Sequence, residues 1–466
     1  MKDRIACLLV VLTLLTAGCA IQPLNLARNI ADANVPLHSL IAKKSAGEET
    51  TGLAPLPGAH PEISNIKKLT LADVLRLVLK HHPEIAASRE EISARKAAVR
   101  QAGLLPNPFL GLEVDNFAGR DDLRNFDGAE TTITASQLIE LGGKRGKRQQ
   151  LSVLEKDLAG FDYQSKKLDV VAAASKAFIQ VLAVQEQLNL NNELVNLAEQ
   201  TFFAVSQRVE AGKVSPVEKA RVQVELAVAR TEANKAKRRL EAARYRLVSF
   251  WGSESVQSMR VDGDLTVMRH ITPAEVAKNH LANNPDQSRW KSEIERREAE
   301  VSLARSQAVS DATFSLGIRK FQSTNDSAMV AGFEIPLPLF DRNQGGIAQA
   351  RASLGKARQE RRSAEMAAQT ELFEKGQSLL AAYGEAVTLR DEILPEAKNA
   401  FEAVETGYRE GKLDVLQVLD AQRTLFAVRR QYLQALEDYH LVCADVKRLV
   451  GEPLEDIPEF KSEKNP

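Results

Sequence analysis

The sequence is short of aromatic residues, cysteine and net charge. Aromatics make up 5% of its 466 residues and charged residues 27%. That profile, rich in Ala, Leu, Glu, Arg and Gln, favours long helices and coiled coils over a thick globular core. Sixty-two basic residues face 62 acidic ones, so no global field draws the chain to nucleic acid or anionic lipid. Three cysteines, Cys7, Cys19 and Cys443, do not suffice for a disulfide framework. No phosphate loop of the form G-x-x-x-x-G-K-[ST], no H-E-x-x-H, no Cys-x-x-Cys and no nucleophile elbow is present. His81 and His82 are adjacent and precede Pro83, so they do not project as an i, i+4 ligand pair. The methionines after Met1 (Met259, Met268, Met329 and Met366) are scattered rather than clustered, unlike a soft-metal relay. No catalytic, cofactor-binding or metal-binding residue is assigned, and an enzyme is not expected.

What the N-terminus does contain is a basic pair, Lys2 and Arg4, followed by an apolar run from Ile5 to Leu15. The run is too short to span a bilayer and predicts a signal peptide over 1–18. It ends in Thr16-Ala17-Gly18-Cys19, which resembles a bacterial lipobox. By that resemblance Cys19 is lipidated, and Ala20 after it favours outer-membrane sorting. Cys443, in a helical pattern, reads as a buried small hydrophobe.

The remainder repeats itself. Thr70 and Thr272 each have an acid three residues on and a proline further along, Pro83 and Pro285. Gly212-Lys213 recurs as Gly411-Lys412, at an offset of 199 residues, and Gly252 recurs as Gly451. The chain therefore reads as an N-terminal arm (19–68), a first repeat (69–252), a linker (253–270), a second repeat (271–451) and a tail (452–466). Each repeat runs helix, two strands, a very long helix, a turn and a long return helix. Period-two alternation predicts strands at 108–117, 129–139, 312–321 and 327–335, each with one apolar and one polar face. No proline lies between Pro108 and Pro216. A 3–4 spacing from Leu151 through Leu158, Ala172 and Ile179 to Leu182 predicts one helix from Lys144 to Glu210. At 1.5 Å per residue it reaches about 100 Å. Such a helix needs neighbours along its whole length.

The far ends are hairpin tips. Ser215 reads as N-cap with Pro216 at the first helical position and Glu218 closing a capping box; Asp414 with Gln417 plays that part in the second tip. Pro395 has no counterpart in the first repeat, where Asn196 stands, and predicts a kink that lets the second hairpin swing.

Four amphipathic strands cannot close a barrel in lipid, because their edges would be left unpaired. Three chains would supply twelve strands, a feasible barrel, and their helices would continue the ring as a tube. The stretch 333-FEIPLPLFDRNQGG-346 then marks the junction of barrel and tube. Pro336 and Pro338 end sheet pairing, and Asp341 and Asn343 turn the chain into the next helix. Gly142 and Gly143, in 135-ASQLIELGGKRGK-147, serve the first repeat. The predicted fold is mainly α with a membrane β-barrel part: a long coiled-coil tunnel plus four strands per chain, internally duplicated, in a trimer sharing a 12-stranded barrel.

With this plan, the strings ELGGKR (140–145) and PLPLFDRNQG (336–345) resemble TolC-like outer-membrane efflux ducts, in particular the heavy-metal branch typified by CzcC and CusC. The resemblance covers Leu69 to Gly451. It implies a passive, trimeric conduit in the outer membrane with its tunnel in the periplasm, docked to a periplasmic adaptor (membrane fusion protein) and an inner-membrane pump of the RND type. It assigns adaptor contact to Arg208, Gly212, Val214 and Ser215 in the first tip and to Gly411, Leu413 and Asp414 in the second. It makes Tyr408 a gate aromatic and Asp420 a ring acid at the periplasmic entrance. This chain has Gln417 where TolC carries an acid, which predicts weaker cation block. A duct for organic compounds, a type I secretion duct and a coiled-coil lipoprotein scaffold without a pore stay open as alternatives.

Overall fold

The computed structural model describes residues 68–252, 260–269 and 284–451. Cys19 with the signal and nearly all of the arm, the expected helix near Thr272 and the tail lie outside the described residues. The first repeat contains α1 (Leu71–His81), α2 (Pro83–Ala102), β2 (Phe109–Asp115), β3 (Glu130–Ile139), α3 (Lys144–Glu210) and α4 (Pro216–Ser249). The second contains α5 (Pro285–Gln307), β5 (Ala312–Phe321), β6 (Ser327–Glu334), α6 (Gln344–Thr388), α7 (Leu394–Arg409) and α8 (Val415–Val450). Two short strands, β1 (Lys68–Leu69) and β4 (Arg260–Val261), pair in parallel.

Helix starts follow local chemistry. Thr70 and Asp73 close a capping box at α1, and the ring of His82 accepts from the Glu84 N–H to start α2. The α3 helix runs unbroken for 67 residues. It is also long and apolar enough to cross a membrane, yet about two-thirds of its most apolar stretch is buried within the protein. The seam that predicted it is where it packs: Leu158, Ala172, Ser175, Ile179 and Leu182 are buried. In the lower tier α4 packs along α3, α3 along α8, and α8 along α6 and α7. In the upper tier the order is α2, α3, α5, α6. Each tier is a row of four helices with, among the described residues, two free edges.

The main core lies where the tiers meet. Val74 and Val78 of α1, Phe178 and Val181 of α3, Leu247 of α4 and Leu436 of α8 are buried there around Trp251. The linker, expected as a simple connection, is bolted to this core. The side chain of Gln185 accepts from the Val261 N–H at 3.0 Å and donates to the Val261 carbonyl at 3.1 Å. Tyr439 donates to the Arg269 carbonyl at 2.7 Å and accepts its N–H at 3.0 Å. His440 bonds the Leu265 carbonyl at 2.9 Å, and burial holds the pKa of its ring below the ordinary value.

One local expectation needs correction. At the first tip Ser215 does cap α4, but through the Val217 N–H, and Glu218 closes no capping box: its N–H donates to the Ser215 carbonyl. Proline at the first helical position preorganises the turn without that reciprocal bond. Before Pro395 the helix widens into a π-turn, Leu389–Ile393, in which the Leu394 N–H reaches back to the Leu389 carbonyl. The extra residue in the wider turn accommodates a proline ring that brings no N–H and would crowd the carbonyl four residues back.

Replacing Gln185 with Leu leaves both Val261 backbone groups buried without a partner. The expected loss is about 2–4 kcal/mol, read as a lower denaturation midpoint at unchanged helix content in the folded baseline.

Candidate functional site: an amphipathic sheet and two hairpin tips

The four strands form one antiparallel sheet in the order β2-β3-β5-β6. Its register aligns side chains in rows across the sheet. Leu112, Ile133, Ile318 and Met329 form one row, and Leu110, Ala135, Leu316 and Ala331 the next. Phe314 pairs with Phe333 one row further. Among the described residues nothing covers this face: Leu110 and Met329 are each 82% exposed. The other face is polar. Arg319 donates to the Thr132 hydroxyl at 2.9 Å and pairs with Glu130 at 2.9 Å. Gly317 lies at its centre, where a Cβ would strike the backbone of Ile133 and Thr134; lacking one, it lets the sheet curve with this face inward. Among the described residues both edges, β2 and β6, are unpaired, and they run in opposite directions.

Below the sheet the chain turns into the helices. Gly142 and Gly143 both take left-handed φ, +67° and +70°. A Cβ at Gly142 would come within 3.1 Å of the Ser306 carbonyl and Val309, so this position needs glycine on two grounds. Asp311 ties the turn from the other repeat: it accepts the Leu141 N–H at 2.9 Å and pairs with Lys144 at 2.8 Å. Glu140 grips Arg148 through two bonds, 2.6 and 3.1 Å, and Arg148 also caps the Ala102 carbonyl at the end of α2. The second turn uses Asn343 at φ +53°. Its amide donates to Ala304 at 2.8 Å, and its N–H donates to Asp341 at 2.8 Å. Pro336 and Pro338 follow the end of β6. The loop they stiffen exposes Leu337, Leu339 and Phe340, and Leu104 and Leu105 beyond the end of α2 are exposed as well.

At the far end both tips use one device. Gly212 and Gly411 adopt φ +66° and +76°. In each tip the glycine N–H donates three residues back and the following lysine N–H five residues back, the Schellman arrangement. Asp414 closes its capping box with Gln417 as expected. Val214 and Leu413 are half-exposed and Gly212, Ser215, Gly411 and Asp414 exposed.

The tips also touch. Arg208 lies over the ring of Tyr408, 4.3 Å from its centre, and donates to the Tyr408 carbonyl at 3.3 Å. Tyr408 is buried between the hairpins with Val205, Val222, Phe401 and Val415. Asp420 is exposed on α8, beside Val418 and Leu419, which belong to that cluster. Cross-links from α8 to the first hairpin escaped the sequence reading: Arg423 bonds Glu225, and Arg429 bonds Glu193 at 2.7 Å. They span long separations and leave no local signal.

A one-sided apolar sheet set on helical staves that end in paired tips is the build of one subunit of a barrel-and-tunnel channel. A sequence profile described as outer membrane efflux protein matches twice, over residues 74–253 and 276–452, and the chain belongs to that family of outer-membrane efflux channels. It is 32% identical to the cobalt-zinc-cadmium resistance protein CzcC of Cupriavidus metallidurans, over 88% of this chain and 95% of that one. It is 23% identical to the nickel-cobalt-cadmium resistance protein NccC of Alcaligenes xylosoxydans xylosoxydans, over 68% of this chain and 73% of that one. The fold matches a crystal structure of CusC with a TM-score of 0.66 at 16% identity, over 82% of this chain and 92% of that one.

The hydrogen bonds from Arg148 hold the Glu140 carboxyl below its ordinary pKa. A lowered carboxylate stabilises the fold fully above its unfolded value, about 4.3, and the effect fades as pH falls through the lowered one. Glu140→Gln is therefore expected to cost about 1 kcal/mol at pH 7, with the gap to wild type closing under acid. Urea titrations at pH 7 and pH 3 measure both.

Proposed function

We propose that this channel is a homotrimer with one shared 12-stranded barrel, and that it is the exit duct of a tripartite system exporting heavy-metal cations. The observation that carries the assembly is the sheet. Its apolar face is bare and both of its edges are open, and in lipid each unpaired backbone group costs several kcal/mol. Closure by further copies pairs β6 of one chain with β2 of the next, antiparallel throughout. Cys19 adds a lipid anchor. The metal cargo rests on the names of CzcC and NccC, both resistance proteins for divalent cations. The partners are a periplasmic adaptor, received by the tip residues Gly212, Val214, Ser215, Gly411, Leu413 and Asp414, and an inner-membrane RND pump. Arg208 contributes from behind, since its guanidinium is engaged by Tyr408.

The gate is the second hairpin. Three copies of Asp420 around a narrow axis focus a negative potential that attracts cations, and Tyr408 sets the width by its packing against the first hairpin. The π-turn before Pro395 is the hinge.

Deleting the gene in its host is expected to sensitise cells to one or two of zinc, cadmium, cobalt, nickel, copper and silver, with rescue by the intact gene. Sensitivity to dyes and detergents alone would overturn the metal assignment and keep the duct. Pro395→Ala is expected to lower conductance in planar bilayers and to leave metal tolerance between wild type and deletion. Unchanged conductance and tolerance would remove the hinge.

A further inference from the structure

The lower tier has two free edges, α4 on one side and the π-turn with α7 on the other. Both helices run to the adjoining tips, so residues equally far from Gly212 and Gly411 lie at similar heights. The edges are opposite in charge at matched heights. Residues 213–238 hold seven Lys or Arg and three Asp or Glu, whereas residues 385–410 hold seven Asp or Glu and three Lys or Arg.

The α4 helix also has two faces. One, with Val222, Leu226, Ala229, Ala236 and Leu240, is buried. The other repeats every three and four residues through Arg221, Val224, Val228, Thr231 and Lys235, and it is bare, with Val224 60% and Val228 52% exposed. A second seam of heptad spacing on the side away from its neighbour is the mark of a helix built to be packed on both sides. Among the described residues Lys235 is paired only with Glu232 of its own helix, at 2.8 Å, a weak exposed contact that re-forms freely. Opposite, Glu392, Glu396 and Asn399 lie on the side of the chain away from α8 and are exposed. Among the described residues neither glutamate has an ion-pair partner.

We infer that the bare seam of α4 receives the π-turn and α7 of a second copy of this chain, with Lys235 facing Glu392 and Val224 and Val228 packed against the stretch around Asn399. This rests on the oligomeric reading above and gives it a register. Thr231 and Glu392 stand equally far from their tip glycines, as do Val224 and Asn399. Lys235 is one turn above Thr231, within reach of the Glu392 carboxylate across a helix pair. Seam and charge pattern act together: the valines exclude water, and the basic and acidic edges reject pairing of like edges, α4 with α4 or α7 with α7. The pair lies about 30 Å above the tips, beside the proposed hinge.

The test uses the full-length protein extracted in mild detergent. Wild type should run as a trimer by native mass spectrometry. Lys235→Glu and Glu392→Lys should each cut the fraction of trimer surviving dodecyl sulfate at least fivefold at low salt, and the combined swap should recover it to within twofold. In a Cys443→Ala background, Val224→Cys with Asn399→Cys should give covalent dimers and trimers on mild oxidation, and either cysteine alone should give none. This second readout stands even where a charge reversal spoils folding. A trimeric wild type with no cross-link and no charge rescue overturns the edge pairing and leaves the channel intact. A monomeric wild type overturns the oligomeric reading itself.

Discussion

The constraint on which the structure depends is that backbone hydrogen bonds have no substitute in lipid. A four-stranded sheet with two free edges is not viable there alone, so much of the molecule serves to present that sheet to copies of itself. The register places Leu112, Ile133, Ile318 and Met329 in one row and leaves Arg319, Thr132 and Glu130 on the other face. One face suits hydrocarbon and the other suits water. The helices inherit the same incompleteness, since a row of four staves has two free edges just as the sheet does. The exposed valines of α4 are the helical counterpart of the unpaired β2 and β6.

The turns under the sheet convert one kind of ring into the other. A strand and a long helix must join within a few residues, and the two repeats solve this differently. The first spends two left-handed glycines and braces them with Asp311 from the second repeat. The second uses one left-handed asparagine whose side chain bonds back to α5. Each turn is thus fastened to a neighbouring element, and the barrel cannot rotate on the tube without breaking charge-assisted bonds that are partly shielded from water.

Much of this was legible in the sequence because it is periodic. The ten-residue alternation of β5 and the seam of α3 each repeat a pattern many times, and the α3 ends are marked by Gly143 and by the Ala211-Gly212 turn. What escaped is carried by single long-range bonds. The β1–β4 pair is two residues per strand, too short for alternation, and it exists because Gln185 on a distant helix clamps Val261. The π-turn escaped because a proline inside a helix marks where the hydrogen-bond ladder breaks but not how the turn before it is wound. Of the residues assigned to the site, the tip positions were legible from the repeated Gly-Lys turn. The engagement of Arg208 with Tyr408 was not, since it requires two hairpins to meet.

That engagement bears on how a tunnel of this kind opens. Tyr408 is buried and its ring holds a cation, which stabilises the contact by about 1 kcal/mol. Yet among the described residues nothing bonds its hydroxyl, and a buried hydroxyl without a partner costs a similar amount or more. Its polar contacts therefore add little net, and the packing of the ring against Val205, Val222, Phe401 and Val415 is what holds it. Arg423 and Arg429, by contrast, tie α8 to the first hairpin through carboxylates along its length. These pairs are largely exposed, and each contributes at most about 1 kcal/mol. Parting the two hairpins at their tips therefore costs mainly the unpacking of Tyr408 from its apolar neighbours.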